Sequence, residues 1–236
     1  MITLVSLTTI ISGSIFLTSG FYIFLSWRKK REDFLLRIFF IFLLSIGFQM
    51  LFLTLGLAVF YNNYLMSNIS WLIAHIFLIF GMSNLFLLPI RIKIPAKEKL
   101  VRKITIACAL IGILILLLNL SKVELFRSPE NIINWHVPGL SIAVIAGFSG
   151  VISLFSAYVF IRESFKVKSG LMKFRSIFLG SGILVFFIGG PMHNFVSNWK
   201  MAALAASLSV LGGFLIIAGI YLSKIKKIVE KEPQQI

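Results

Sequence analysis

The run FLLRIFFIFLLSIGFQMLFLTLGLAVF, residues 34–60, is mostly apolar, with one cation near its start, one amide near its middle, one serine and one threonine. The hydrocarbon core of a bilayer is about 30 Å thick, and a helix that rises about 1.5 Å per residue crosses it with about 20 apolar residues. Strands of membrane barrels are about half as long and alternate polar with apolar residues. The run therefore predicts one transmembrane helix.

Six further runs have the same character. The chain is 58% apolar and only 13% charged, whereas a soluble domain is closer to half apolar and a quarter charged. We therefore expect an all-α, polytopic integral membrane protein, with a seven-helix transmembrane bundle over residues 1–223 and a short basic cytoplasmic tail at 224–236. The spans are expected near residues 4–26, 34–60, 69–90, 104–120, 138–161, 176–196 and 201–223.

Positive charge is divided unevenly between the two sets of loops. Of the 23 Lys and Arg residues, 20 fall in the loops 27–37, 91–103 and 162–175 and in the tail. Short cytoplasmic loops are enriched in Lys and Arg, so we expect the N-terminus outside and the C-terminus inside a cell membrane, and a prokaryotic plasma membrane is favoured. The charge borders a bilayer in short loops, which excludes nucleic acid as a partner.

Ionisable groups are missing from the middle of every predicted span. All eight carboxylates lie in loops or at span ends, and no lysine lies in mid-span. Proton relays and ion-coupled carriers place such groups at depth. The single cysteine, Cys108, lies in an apolar run, so neither a disulfide framework nor a thiolate metal cluster is expected. These absences favour a protein that is not an enzyme.

The stretch FFIGGPMHNFVSNWK, residues 186–200, interrupts the sixth span. Pro191 removes a backbone donor and clashes with the preceding turn, so it predicts a kink. Gly189 and Gly190 ease that kink, and the three residues together predict a hinge. His193 and Asn194 follow about one turn inside the outer surface, where they could contact a ligand or simply end a helix.

All three histidines are expected in the outer half of the bundle. His75 lies about 9 Å inside the outer end of span three, by the rise of a helix, and His136 lies just above span five. His75 and His193 could ligate a haem b, or could join His136 around a zinc or copper ion, because imidazole suits these metals. The tight His-x-x-x-His spacing of a zinc site is missing. The leading expectation is therefore that the protein has no cofactor and that these histidines hydrogen-bond neighbouring helices.

Two amides interrupt spans two and three. Gln49 lies near the middle of span two, and Asn84 lies in the inner half of span three. They could form a polar ligand pocket or a gate. They could equally hydrogen-bond neighbouring helices, which contributes about 0.6 kcal/mol per bond.

Three functions stay open at this stage. The first is a sensor or receptor-like module that binds a small ligand in its outer half and signals to a separate cytoplasmic protein through the basic loops and tail. The second is a small carrier for a neutral or anionic solute, and the third is a haem- or metal-binding subunit of a membrane complex. Stripes of small residues on spans five and seven also permit a homo-oligomer within the lipid bilayer. The residues expected at a ligand site are His75, Trp135, His136, His193, Asn194, Gln49 and Asn84.

The charge asymmetry makes a direct prediction about topology. In a Cys108→Ser background, a cysteine introduced at Lys97 should not react with a membrane-impermeant thiol label applied to intact cells, whereas one introduced at Lys122 should react. Labelling at position 97 from outside would contradict the orientation.

Overall fold

A computed structural model describes residues 4–127, 133–192 and 198–229. It contains seven helices that are long and apolar enough to cross a membrane. The prediction of a helical, multi-pass membrane bundle is confirmed. The helices are α1 Leu4–Arg28, α2 Phe34–Thr54, α3 Tyr64–Lys93, α4 Glu98–Leu118, α5 Gly139–Ser164, α6 Gly170–Met192 and α7 Trp199–Val229.

Several helices extend beyond the apolar runs that predict them. The helix α4 begins at Glu98 and α6 begins at Gly170, because a helix continues through the headgroup region, where charged side chains reach water. Caps fix other starts. The Asp33 carboxylate accepts hydrogen bonds from the backbone N–H groups of Leu35 and Leu36, each at 3.1 Å, and so caps α2.

Six of the seven helices form a closed ring. In order around the ring, α1, α2, α3, α5, α6 and α7 each pack on the next, and α7 packs on α1. The helix α4 lies outside the ring against α3 and α5. The ring therefore encloses an interior space. A second space can form where α4 packs against the outer surface of the ring.

Glycines bring α6 and α7 into close contact. A Cβ placed on Gly212 would lie 2.4 Å from the backbone nitrogen of Phe186, and one on Gly182 would lie 2.7 Å from the backbone nitrogen of Ile216. Both distances are shorter than any normal contact. Small residues allow such approach between membrane helices and gain dispersion contacts along the whole interface.

The two ends of the bundle differ in what fills them. The basic end carries the connections α1–α2, α3–α4 and α5–α6, where most of the Lys and Arg residues lie. From the middle of the ring to this end, the interior is packed with buried side chains from all six ring helices. They include Phe16, Phe42, Leu85, Phe160, Ile183 and Ile216.

The opposite end, here the hairpin end, carries two short strands. The strands β1 Glu124–Arg127 and β2 Ile133–His136 pair antiparallel, with Leu125 opposite Trp135. The hairpin adds to the all-α prediction. Its signal was the alternation in β2, where Ile133 and Trp135 are buried and His136 is exposed, because successive side chains of a strand point to opposite faces.

The α6–α7 contact predicts unequal effects for two glycine substitutions. Gly212→Ala should destabilise the protein by about 1–3 kcal/mol, since its Cβ meets the backbone of α6. Gly147→Ala on α5, whose Cβ would meet nothing within 4 Å, should be neutral or stabilise by up to about 1 kcal/mol. Unfolding in mixed detergent micelles measures both, and equal stability would contradict this packing.

Candidate functional site

A cavity of about 110 Å³ lies inside the ring toward the hairpin end. All six ring helices contribute to its wall, and β2 of the hairpin lies over it. The helix α4 contributes no residue. A molecule in the cavity would therefore lie among all six helices of the ring.

The wall is mostly apolar but carries several polar side chains. Among the described residues that line it, none is Asp, Glu, Lys or Arg. The polar lining residues are Thr9, Gln49, His75, Asn134, Trp135, Ser149, Ser153 and Ser209.

His75 is held in a defined orientation by its own helix. Its Nδ1 lies 2.8 Å from the carbonyl oxygen of Trp71, one turn earlier. A carbonyl only accepts, so Nδ1 carries the proton and Nε2 of the neutral ring presents its lone pair. The imidazole also packs on the Trp71 indole, with 4.4 Å between ring centroids. One helical turn thus fixes both the tautomer and the position of the ring.

Gln49 places an amide in the wall from α2. The residue is buried, and its Oε1 has no hydrogen-bond partner among the described residues. An unpartnered buried acceptor costs about 1–3 kcal/mol. Rotation about the last side-chain torsion would exchange the amide oxygen and nitrogen at the cavity without moving the helix.

Trp135 projects from the hairpin into the bundle. It is 6% exposed, and its indole Nε1 has no hydrogen-bond partner within the described part of the chain. The ring lies against Gly56, where an added Cβ would be 2.6 Å from Cζ2 of the indole. Gly56 belongs to a π-helical turn, Leu55–Val59, that ends α2. Such turns are uncommon and often mark functional sites.

The segment before the hairpin is tied to α3. The Asn68 Nδ2 donates to the carbonyl oxygen of Val123 at 2.7 Å, and the Tyr64 hydroxyl donates to the same oxygen. Val123 is itself fully buried. These bonds hold the hairpin at a fixed height over the cavity and so position Trp135.

The cavity is closed toward the basic end by aromatic packing. Phe186 lines the cavity, and its ring lies 5.6 Å from that of Phe16 in an edge-to-face arrangement. Below them lies the buried cluster that fills the ring. In this conformation no polar route leads from the cavity to the basic end through the described residues.

Some of the residues predicted from sequence meet at the cavity and others do not. Gln49, His75 and Trp135 line it together. His136 is exposed on the opposite face of β2. Asn84 lies on the other side of α3, in a groove facing α4. His193 and Asn194 lie outside the described residues.

The predicted hinge lies at the end of α6. The helix runs through Gly189 and Gly190 and ends at Met192, just after Pro191. The two glycines differ in their surroundings. A Cβ on Gly189 would lie 2.7 Å from the backbone nitrogen of Ser209 on α7, whereas one on Gly190, which lines the cavity, would meet nothing within 4 Å. Motion at the hinge stays a prediction.

Neither metal nor haem gains support from the described residues. Within residues 4–127, 133–192 and 198–229, no three His, Cys, Asp or Glu side chains lie together as metal ligands. A cavity of about 150 Å³ admits benzene, and a porphyrin is much larger than benzene. The space of about 110 Å³ is therefore far too small for a porphyrin. Haem would require the ring helices to separate. Both hypotheses stay predictions, because His193 is outside the described residues.

Sequence reasoning missed the hydroxyl groups in the wall. Ser149 and Ser153 lie one turn apart on α5, Thr9 lies on α1, and Ser209 lies on α7. The spacing of Ser149 and Ser153 by four residues places them on one face of a helix, which was the available signal. Ser209 belongs to the stripe of small residues on span seven, and its hydroxyl donates to Ala205 O at 2.9 Å.

Comparison with known proteins gives no family. No protein-family model matches the chain, and no curated protein is significantly similar to it.

The fit of Trp135 against Gly56 predicts a rescue. Gly56→Ala should loosen the hairpin, because its Cβ would overlap the indole, and should cost about 1–3 kcal/mol. Adding Trp135→Phe, with its smaller ring, should recover part of that loss. Limited proteolysis between residues 124 and 136 and unfolding in micelles measure both variants. Strictly additive effects would show that the two residues do not touch.

Proposed function

We propose that this chain is a receptor-like membrane module that binds a small, uncharged ligand in the cavity at the hairpin end. The observation that carries the proposal is a cavity of about 110 Å³ that is walled by every ring helix and covered by Trp135. Buried polar atoms that have no hydrogen-bond partner among the described residues lie in its wall, and binding sites combine apolar walls with a few such groups.

The wall selects the chemistry of the ligand. A charged group would lose its hydration and find no countercharge, which is costly. The apolar side chains favour an apolar body, about the size of benzene or smaller. The Gln49 amide, the His75 ring and the Trp135 indole offer both donors and acceptors. A small molecule with one hydroxyl or amide group fits these conditions.

Occupancy of the cavity would be transmitted through α6. Phe186 and Phe187 of α6 both line the cavity. The Phe187 ring packs on Gly150 of α5, and the backbone of Phe186 packs on Gly212 of α7. Because no side chain separates α6 from α7 at these glycines, a tilt of α6 carries α7 with it. The hinge at Gly189, Gly190 and Pro191 would permit such a tilt.

The direction of signalling follows from the charge asymmetry. If the basic end faces the cytoplasm, as Lys and Arg enrichment favours, the cavity lies in the outer half of a cell membrane. A tilt of α6 would then reach the basic connection 162–175 on the cytoplasmic side. A separate cytoplasmic protein would read the change there.

The geometry supports a receptor better than a carrier. A carrier needs a binding site that opens to both sides in turn. In this conformation the Phe16–Phe186 pair and the cluster below it separate the cavity from the basic end. Asn84, the polar residue expected along a carrier path, lies outside the ring.

A cavity-filling substitution tests the proposal. In a Cys108→Ser, Lys168→Cys background, isobutanol at about ten times its Kd should stabilise the protein by about 1.4 kcal/mol and should change the rate of maleimide labelling at position 168. Ala146→Phe fills the cavity and should abolish both effects. Ala143→Phe, which is exposed on the same helix, should retain both.

Each other outcome would contradict part of the proposal. Failure of isobutanol, propionamide and cyclopentane, all no larger than benzene, to stabilise the protein would remove the binding site. Stabilisation without any change in labelling would leave a binding site and contradict the receptor role. Uptake of the alcohol into proteoliposomes, faster than in protein-free vesicles, would favour a carrier.

A further inference from the structure

A second space lies on the outside of the ring, between α3 and α4. It has a volume of about 460 Å³ and runs beside residues 76–87 of α3 and 102–113 of α4. At about 1.5 Å per residue the groove is about 16 Å long. Toward the hairpin end, a Cβ placed on Gly112 would lie 3.9 Å from Cδ1 of Ile79, and at the basic end the turn Pro95–Lys97 joins the two helices.

The polar side chains along the groove are already satisfied by their own helices. The Ser83 hydroxyl donates to Ile79 O at 2.7 Å, and the Thr105 hydroxyl donates to Val101 O at 2.9 Å. The Asn84 Nδ2 donates to Phe80 O at 2.9 Å. The remaining lining residues are apolar apart from Arg102. An occupant of the groove therefore needs hydrocarbon along its length and no polar group.

Arg102 stands at the basic end of this groove. It lies four residues after the start of α4, which is about 6 Å into the helix. Its side chain is exposed, and within the described residues no carboxylate lies within 4 Å of its guanidinium. Lys99 and Lys103 flank it in sequence. The groove thus has an apolar body and a single unpaired cation at one end.

We propose that the groove binds one acyl chain of an anionic phospholipid from the leaflet at the basic end, with Arg102 holding the phosphate. The groove is apolar along its length and has a cation at its basic end, which matches the apolar chain and the anionic headgroup of such a lipid. Guanidinium pairs well with phosphate, and basic side chains at a membrane surface favour anionic lipids. The lipid completes the contact between α4 and the ring, which α4 makes only in part. This site is independent of the cavity and of the receptor role.

Lipid selectivity tests the assignment of Arg102. Delipidated protein in detergent is titrated with phosphatidylglycerol and with phosphatidylcholine of the same chains, and bound lipid is counted by native mass spectrometry. The tightest site should bind the anionic lipid with about fivefold higher affinity, which is the expected contribution of one basic side chain at a membrane surface. Arg102→Gln should remove that preference, Arg102→Lys should keep most of it, and Lys103→Gln should leave it nearly unchanged.

The groove itself is tested by a matched pair on α4. Ala109 lines the groove, whereas Ala107 is exposed on the same helix and does not. Ala109→Phe should lose one bound phospholipid, and Ala107→Phe should not. Unfolding midpoints close to that of the unmodified chain confirm that both variants fold.

Any one of four results would overturn the proposal. The first is equal affinity for the two lipids in the unmodified chain. The second is equal lipid counts for Ala109→Phe and Ala107→Phe. The third is displacement of phosphatidylglycerol by equimolar palmitate or by inorganic phosphate, since the site requires the chain and the phosphate together. A second copy of the chain bound in place of lipid would also overturn it.

Discussion

The structure depends on the need of every backbone N–H and C=O group to find a partner where no water is present. In hydrocarbon this need leaves helices as the only form for single segments. The Phe34–Thr54 segment shows the force of the constraint, because its many aromatic and β-branched residues would favour a strand in water. The strands form only beyond the helices, at the hairpin end, where short edges can reach solvent.

Ring closure follows from how closely the helices can approach. The glycines of α6 and α7 remove the side chains that would hold the two helices apart, and Gly47 allows Leu17 of α1 to pack on α2 in the same way. Six helices drawn together leave no place for the seventh, so α4 lies outside. This arrangement creates two spaces with different chemistry. Within the described residues, the inner space is lined by polar atoms that lack hydrogen-bond partners, whereas the polar groups of the outer groove bond to their own helices and Arg102 lies at its end.

Much of this architecture could be predicted from the sequence, and the site only in part. Run length and composition gave the seven spans, because the bilayer imposes one length on all of them. Gln49, His75 and Trp135 stood out as polar or amphipathic groups among apolar ones, and they do meet. His136 and Asn84 stood out equally but face elsewhere. A single sequence shows which residues are polar. It does not show the order of the helices around the ring, and that order, with α4 outside, determines which face of α3 lines the cavity. The π-turn at Gly56 also has no sequence signature apart from the glycine.

The contact between the Trp71 and His75 rings, tilted at 41° to each other, places an indole beside the cavity. Indole emission responds to the polarity and hydrogen bonding of its surroundings, and both Trp71 and Trp135 line the cavity. Of the other two tryptophans, Trp199 is exposed and Trp27 donates to Arg31 O at the far end of the bundle. Two indoles therefore sense the interior and two sense the surface. The protein carries its own spectroscopic reporter, with an internal reference, and needs no added dye.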